Sequence, residues 1–439
     1  MAFSAAAHAR HDPAGQNPLR RRTVALRAGR SAAAGAVALL ALTGCLAPAG
    51  GARVQTAEAS GDGTLKIGLI LDNTGRQGFL NTSQLAAAKL AVREINAAGG
   101  HKSKPVELLP ETISEDTAAQ AKELAAAKAD VVVGPTDSSR APAAIDVLSN
   151  AKVALISPAN AASGLSTYKS GGYYFRTSAA DVAQAAVLVK LARDGGAKTL
   201  AIVYEAGGYG KGVSAAVGAA AKDAGLGPVA VAEFTPGQAQ QAAAAAKAAG
   251  PDAVVLVARD GAQGAIAELN NAGLGGRKLV LSDGAVNEYG SGLGSGALDG
   301  ARGILPGVFP SAHFQGELVS VDPGLKDMTF AAETYDAVNL AAIAAAAADD
   351  DAGTSIAARL IAVSGGGAQP AGETGVCTSY QACIDVLRSG KRPDYDGQSG
   401  AINFDANGDV TSANYMVFGY GADNQATMTG SETARSGGS

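Results

Sequence analysis

The sequence predicts an α/β protein built from two open, doubly wound sheets. Three observations carry this. Apolar runs of strand length alternate with amphipathic segments, the alternation begins again after residues 173–176, and the runs are continuous rather than alternating with polar residues, as strands covered on both faces require. From residue 64 to about residue 425 there are roughly 360 residues, enough for two domains.

In chain order, the first segment is an Arg-led apolar run. Arg20, Arg21, Arg22, Arg27 and Arg30 precede 32–42, and Leu42-Thr43-Gly44-Cys45 closes it with small residues. The stretch is too short for a span, which needs about 20 apolar residues, and reads as a secretory leader over 1–45. The placement of Cys45 resembles the bacterial lipobox, which implies a diacylated first residue of the mature chain; a plain signal peptide with an incidental Cys is the alternative. Arg21-Arg22 leaves Sec and twin-Arg export both open. Residues 46–63 are small and polar and read as a tether.

The first predicted lobe begins with a strand over 65–71 and a helix over 84–98, where Leu85, Ala88, Val92 and Ile95 recur at spacings of three and four. Strands over 106–109, 131–133 and 153–156 alternate with helices over 117–127 and 141–149. Past 173–176 come helices over 181–193, 211–224, 239–249 and 262–271, between strands over 199–204, 229–234, 253–257 and 279–281. An Ala-rich helix over 328–348, another over 354–363, one after Cys377 and short extended pieces over 401–404 and 416–420 are too few strands for a third domain and complete the first two.

Composition narrows the function. Removing the leader leaves 29 basic against 39 acidic residues, near −10, with no Lys/Arg cluster to neutralise phosphates, so no nucleic-acid partner is expected. Downstream of the leader only His101 and His313 remain, and no metal, cofactor or catalytic residue is expected. Cys377 and Cys383 form an even pair in an oxidising compartment and suggest a short disulfide, two free thiols being the alternative. Gly207-Gly208-Tyr209-Gly210-Lys211-Gly212 lacks the pattern of a phosphate loop, and 405–409 lacks the Gly and Glu of a calcium loop and reads as a polar turn.

Short stretches in a fixed order carry a family likeness: Ile67-Gly68-Leu69-Ile70, Glu94-Ile95-Asn96-Ala97-Ala98-Gly99-Gly100, Val131-Val132-Val133-Gly134, Ile156-Ser157-Pro158-Ala159-Asn160 and Phe175-Arg176-Thr177. The order continues through Ala201-Ile202-Val203-Tyr204, Tyr209-Gly210-Lys211-Gly212, Asp283-Gly284 and Thr334-Tyr335-Asp336-Ala337-Val338. The chain resembles the type I periplasmic binding proteins of the leucine/isoleucine/valine-binding branch. The resemblance implies two Rossmann-like lobes around a hinged cleft, 64–178 with 310–392 and 179–309 with 393–425, followed by a disordered tail over 426–439. It implies a monomer outside the cytoplasm, lipid-anchored to the outer face of the cell membrane, that captures an amino acid of branched-chain type or a related small polar solute, and passes it to an ABC permease and ATPase. A sensor of the same fold and a secreted enzyme are the rivals, the latter disfavoured by the missing catalytic motifs.

For an amino acid the site needs donors for a carboxylate, an acceptor for an ammonium and a shape for the side chain. The resemblance places Ser138 first, and Ser139 second, on the carboxylate, where a strand leads into a helix; each also reads as an ordinary helix cap. Asp137 beside them departs from the family's small residue. Ala159, Asn160 and Ala161 follow the next strand and would offer backbone groups, with Ala161 standing where the family often has Thr. From the second lobe, Asp283 matches the ammonium's partner or is a strand-end turn residue, and Tyr209 matches an aromatic closing over the ligand or packs locally. Gly78 and Phe79 would line the side-chain pocket, Phe79 reading equally well as core.

Overall fold

A computed structural model describes residues 53–54, 56–367 and 373–435; Cys45, the leader and the last four residues lie outside them. Among the described residues no helix is long and apolar enough to cross a membrane.

The first sheet holds β1 (Lys66–Leu69), β2 (Glu107–Leu108), β3 (Val131–Val133), β4 (Ala154–Ser157) and β5 (Tyr174–Arg176), in the order β2-β1-β3-β4-β5 with every pair parallel. Helices α1 (Phe79–Ala97), α2 (Thr117–Ala126) and α3 (Ala141–Asn150) make the crossovers. Adjacent residues of a strand enter opposite cores: Val131 and Val133 pack on one face of the sheet and Val132 on the other. This is why a strand such as β3 is apolar at every position rather than at alternate ones.

The second sheet begins after α4 (Gln184–Asp194). It takes β6 (Leu200–Glu205), α5 (Gly208–Asp223), β7 (Pro228–Phe234), α6 (Gln240–Ala249), β8 (Ala253–Val257), α7 (Ala262–Asn271), β9 (Leu279–Leu281) and β10 (Arg302–Pro306). The chain then returns to the first lobe as α8 (Ala312–Val321), α9 (Ala331–Ala348) and α10 (Gly353–Val363). A small sheet of β11 (Thr374–Cys377), β12 (Arg392–Gly397) and β13 (Gly400–Ala401) follows, with α11 (Tyr380–Arg388) between its first two strands. Finally β14 (Ser412–Tyr420) and β15 (Ala426–Arg435) extend the second sheet antiparallel, giving β15-β14-β10-β9-β8-β6-β7. Helix α9 is buried on nearly all sides between the first sheet, α1 and α10, which accounts for its Ala content: small side chains let helices approach closely.

Four segments differ from the sequence expectation. The first helix begins at Phe79 rather than near residue 84, because Asn81, Ser83 and Gln84 are buried polar residues that break the apolar period; the Asn81 amide bonds Asn73 and Gln84 bonds Thr136 at 2.8 Å. Residues 393–410 stay with the first lobe, held by Tyr395, Ile402, Phe404 and Val410 in its core, so the chain joins the second sheet only at Ser412. Residues 426–435 form β15 instead of a tail. The tether's end is folded onto the first lobe: the N–H groups of Gly61 and Gly63 donate to Asp350 and Asp351 at 3.0 Å, and Arg53 donates to the Tyr174 carbonyl at 2.8 Å while lying 4.6 Å over the Phe175 ring. Cys377 and Cys383 are disulfide-bonded, with Cα atoms 5.2 Å apart, joining the end of β11 to the start of α11.

Candidate functional site

The carboxyl ends of the parallel strands in both sheets face one crevice, where open α/β sheets take their ligands. Its larger part is a cavity of about 740 Å³ lined from the first lobe by the loops after β1, β3 and β4, and from the second by Asp181, Gly208, Tyr209 and Arg259. A smaller part, about 180 Å³, shares Ala159, Ala161, Asp181, Arg259 and Phe330 and reaches the crossing segments at Thr177, Ser178, Pro306, Gly307 and Asn414.

On the first lobe the loop after β3 leaves the sheet through Gly134, whose φ of 119° and close approach to the Ile70 carbonyl exclude a Cβ. Its amides turn back onto a buried acid. Asp72, fully enclosed at the end of β1, accepts from the N–H groups of Thr136 at 2.8 Å and Asp137 at 3.0 Å. Asp137 in turn accepts from the Ser139 N–H at 2.8 Å and the Ser139 hydroxyl at 2.7 Å. Arg140 sits among acids, 3.0 Å from Glu115, 3.6 Å from Asp137 and 3.9 Å from Asp72. Ser138 Oγ accepts from the N–H groups of Ala161 at 3.1 Å and Ala162 at 3.3 Å, tying the loops after β3 and β4 together.

On the second lobe Asp283 follows β9 and is fixed by three groups. The Gln184 side-chain amide donates to Oδ1 at 2.8 Å, the Tyr209 hydroxyl donates to the same oxygen, and the Asp283 N–H donates to Gln184 Oε1 at 3.2 Å. Oδ2 has no hydrogen-bond partner among the described residues. Burial beside Asp283 pushes the Tyr209 hydroxyl far above its usual range, so it remains a donor. Arg259, after β8, lies 3.9 Å over the Tyr209 ring and 3.4 Å from Asp181. Burial, then the Asp283 charge, pushes Asp181 up to about 6 against the pull of Arg259 and Arg176. Burial pushes Glu333, at the inner end of the crevice, up to about 7.

Of the residues expected from the sequence, Ser138, Ser139, Ala159, Ala161, Tyr209 and Asp283 line the two cavities. Asn160 is fully buried behind the wall, its amide donating to the Thr136 carbonyl at 3.0 Å and accepting from Tyr174 at 3.1 Å, and so braces the loops. Gly78 and Phe79 line neither cavity; Phe79 is 46% exposed at the first turn of α1, while Gln77 and Leu80 on either side reach the crevice. Sequence reasoning missed Asp72, Arg140, Asp181, Arg259, Phe330 and Glu333. Asp72 and Arg259 carried a readable signal, a charge directly after a buried strand. Phe330 carried none, because its importance lies in a left-handed backbone, φ 61°, ahead of α9.

A family model described as periplasmic binding protein matches residues 64–376. Comparison with curated proteins gives no match. Similar solved structures include the branched-chain amino acid transporter substrate-binding protein LivJ of Streptococcus pneumoniae in complex with isoleucine, 24% identical over 85% of this chain and 99% of that one, TM-score 0.57. An ABC transporter substrate-binding protein of Desulfitobacterium hafniense in complex with Leu is 19% identical over 83% and 100%, TM-score 0.60. A solute-binding protein of an ABC transporter from Rhodopseudomonas palustris HaA2, in complex with p-hydroxybenzoic acid, is 17% identical over 85% and 98%, TM-score 0.59. At these identities the likeness is one of fold.

Proposed function

Because the chain belongs to the periplasmic binding protein family, we propose that it captures an amino acid or related small polar solute in the crevice between its lobes and delivers it to an ABC permease and ATPase. The observation that carries this is the cavity itself: one wall comes from Thr136–Arg140 and Ser163, the opposite wall from Tyr209 and Arg259, so a solute there touches both lobes. Closure then gains population from ligand, since only the closed form makes both sets of contacts. Asp283, held by Gln184 and Tyr209 with one oxygen unpartnered, is the receiver of an ammonium group. No bond is made or broken; the work is binding and closure. The transporters named for the similar structures support the delivery step.

The protein works outside the cytoplasm, and Cys45 holds it to the membrane by acyl chains. Calorimetry against amino acids and small amines, with X-ray scattering before and after ligand, tests the reading. Binding should come with a smaller radius of gyration, and ligand binding without any compaction would refute closure. Mass spectrometry of membrane-extracted protein should find acyl chains on Cys45, and Cys45→Ser should release the protein.

A further inference from the structure

We propose that the solute is a net cation, an amine or guanidinium compound bearing more positive than negative charge, and not a neutral amino acid or an aromatic carboxylate. This rests on the crevice being the solute site and names the class of solute it takes.

Two independent observations carry it. The first is that most of the donors that would hold a ligand carboxylate are already used, the Ser138 hydroxyl, which only accepts, being the exception. The Thr136 and Asp137 amides go to the enclosed Asp72, the Ser139 amide and hydroxyl go to Asp137, and the Ala161 and Ala162 amides go to Ser138 Oγ. The protein's own carboxylates thus occupy the anion positions at the end of β3. A ligand carboxylate could gain the Thr136 and Asp137 amides only by stripping the buried Asp72 of both, leaving it Arg140 at 3.9 Å.

The second is the balance of charge around the cavity. On the first lobe Asp72, Glu115 and Asp137 surround the single Arg140. On the second, Asp181 and Asp283 stand against Arg259, and Glu333 closes the inner end without an ion pair among the described residues. Among the described side chains carboxylates exceed guanidinium groups on both walls, and a concave low-dielectric site concentrates that field on whatever enters. Arg259 itself displays what the corner receives: its planar cation lies over Tyr209 and beside Asp181, the pairing of aromatic face and carboxylate that suits a ligand cation. Being half exposed, Arg259 can swing away and yield the place.

The test is calorimetry and thermal shift on the mature chain with putrescine, agmatine, lysine and arginine against leucine, isoleucine and 4-hydroxybenzoate. At least one of the four cations should bind tighter than each of the other three by about a hundredfold or more, and weaken with added salt. Asp283→Asn should then weaken that cation by about tenfold or more, whereas Arg259→Ala, which removes a competing positive charge, should tighten it several-fold. If leucine, isoleucine or 4-hydroxybenzoate binds tighter than every cation, the inference is wrong and the crevice remains a solute site. Should none of the seven bind, the inference and the proposed function both fall. A cation that binds Asp283→Asn and Arg259→Ala as it binds the wild type lies outside the crevice, which also overturns the inference.

Discussion

Glu333 and Asp181 are the two crevice carboxyls whose surroundings oppose their charge. Glu333 is pushed to about 7 by burial with Asp336 nearby. Asp181 is pushed to about 6 by burial and Asp283, with Arg259 and Arg176 pulling the other way. In both cases the native state holds its proton more tightly than the unfolded chain does. Each therefore favours the fold fully below its ordinary carboxylate range, and that contribution is lost as pH rises through about 6 for Asp181 and about 7 for Glu333. The expected outcome is a ligand-free protein that melts higher near pH 5 than near pH 8. Glu333→Gln, which removes one titration, should flatten the upper part of that curve and stabilise the protein near pH 8 by about 1–3 kcal/mol. Thermal melts across the range check it, and a Glu333→Gln curve parallel to the wild type would show that this carboxyl titrates as though exposed. A cationic solute favours the ionised carboxyls, so its affinity should rise over the same window.

Among the elements, β4 and β5 are joined to the last part of the first lobe by one buried pair. Arg176 is fully enclosed; its Nε donates to Asp409 at 2.7 Å and Nη2 to the other oxygen at 2.9 Å. The same guanidinium holds the Asn160 carbonyl at 3.2 Å and the Ala162 carbonyl at 3.0 Å, which sets the loop that lines the crevice. Arg176→Met should cost about 3–5 kcal/mol, because it strips the Asp409 charge of both guanidinium hydrogen bonds and leaves it only the more distant field of Arg53. Urea melts measure this, and a loss under about 1 kcal/mol would mean that water reaches Asp409 freely. The Arg176 and Asp409 positions were readable only as a family motif and a polar turn, since a contact spanning 233 residues leaves no local pattern.

Strands buried on both faces, such as β3 and β8, were legible as unbroken apolar runs. β15 was not: it lies at the edge of its sheet with most of its residues exposed, so Thr, Ser and Gly read as a tail. α8 buries only Phe314 and Leu318, with Val321 packed partly against the same core, too short a stripe to register as a helix. Ser138, Tyr209 and Asp283, which the family resemblance singled out, follow strands whose carboxyl ends face the crevice and line its cavities. The donors' prior commitment to Asp72 and Asp137 was invisible, since it depends on how the loops fold back.

For the molecule as a whole, the proposed closure depends on the crossing segments, which are bonded to one another and to both lobes. The Thr177 hydroxyl donates to the Glu333 carbonyl at 2.9 Å, and the Gly307 N–H donates to the Asn414 carbonyl at 2.8 Å. The Asn414 amide donates to the Ser399 carbonyl at 3.1 Å, and Ser399 donates from both its N–H and its hydroxyl to the enclosed Asp336 of α9. A change of lobe angle must therefore be absorbed by backbone rotation at a few positions within this lattice. Gly307 is placed to absorb it: its φ is 101°, and a Cβ would sit 3.2 Å from the Glu333 carboxylate. Gly307→Ala should destabilise the ligand-free protein by about 1–3 kcal/mol, since an L side chain is strained at that angle. The strain is relieved only by turning the bond, so the variant should rest at a different lobe angle and bind solute about three- to tenfold more weakly, part of the free energy of closure being used to restore the native φ. Scattering profiles of both proteins with and without solute, beside calorimetric affinities, decide it. A variant with wild-type profiles in both states and wild-type affinity would place the bend elsewhere, at the Thr177–Ser178 or Ser412 crossing.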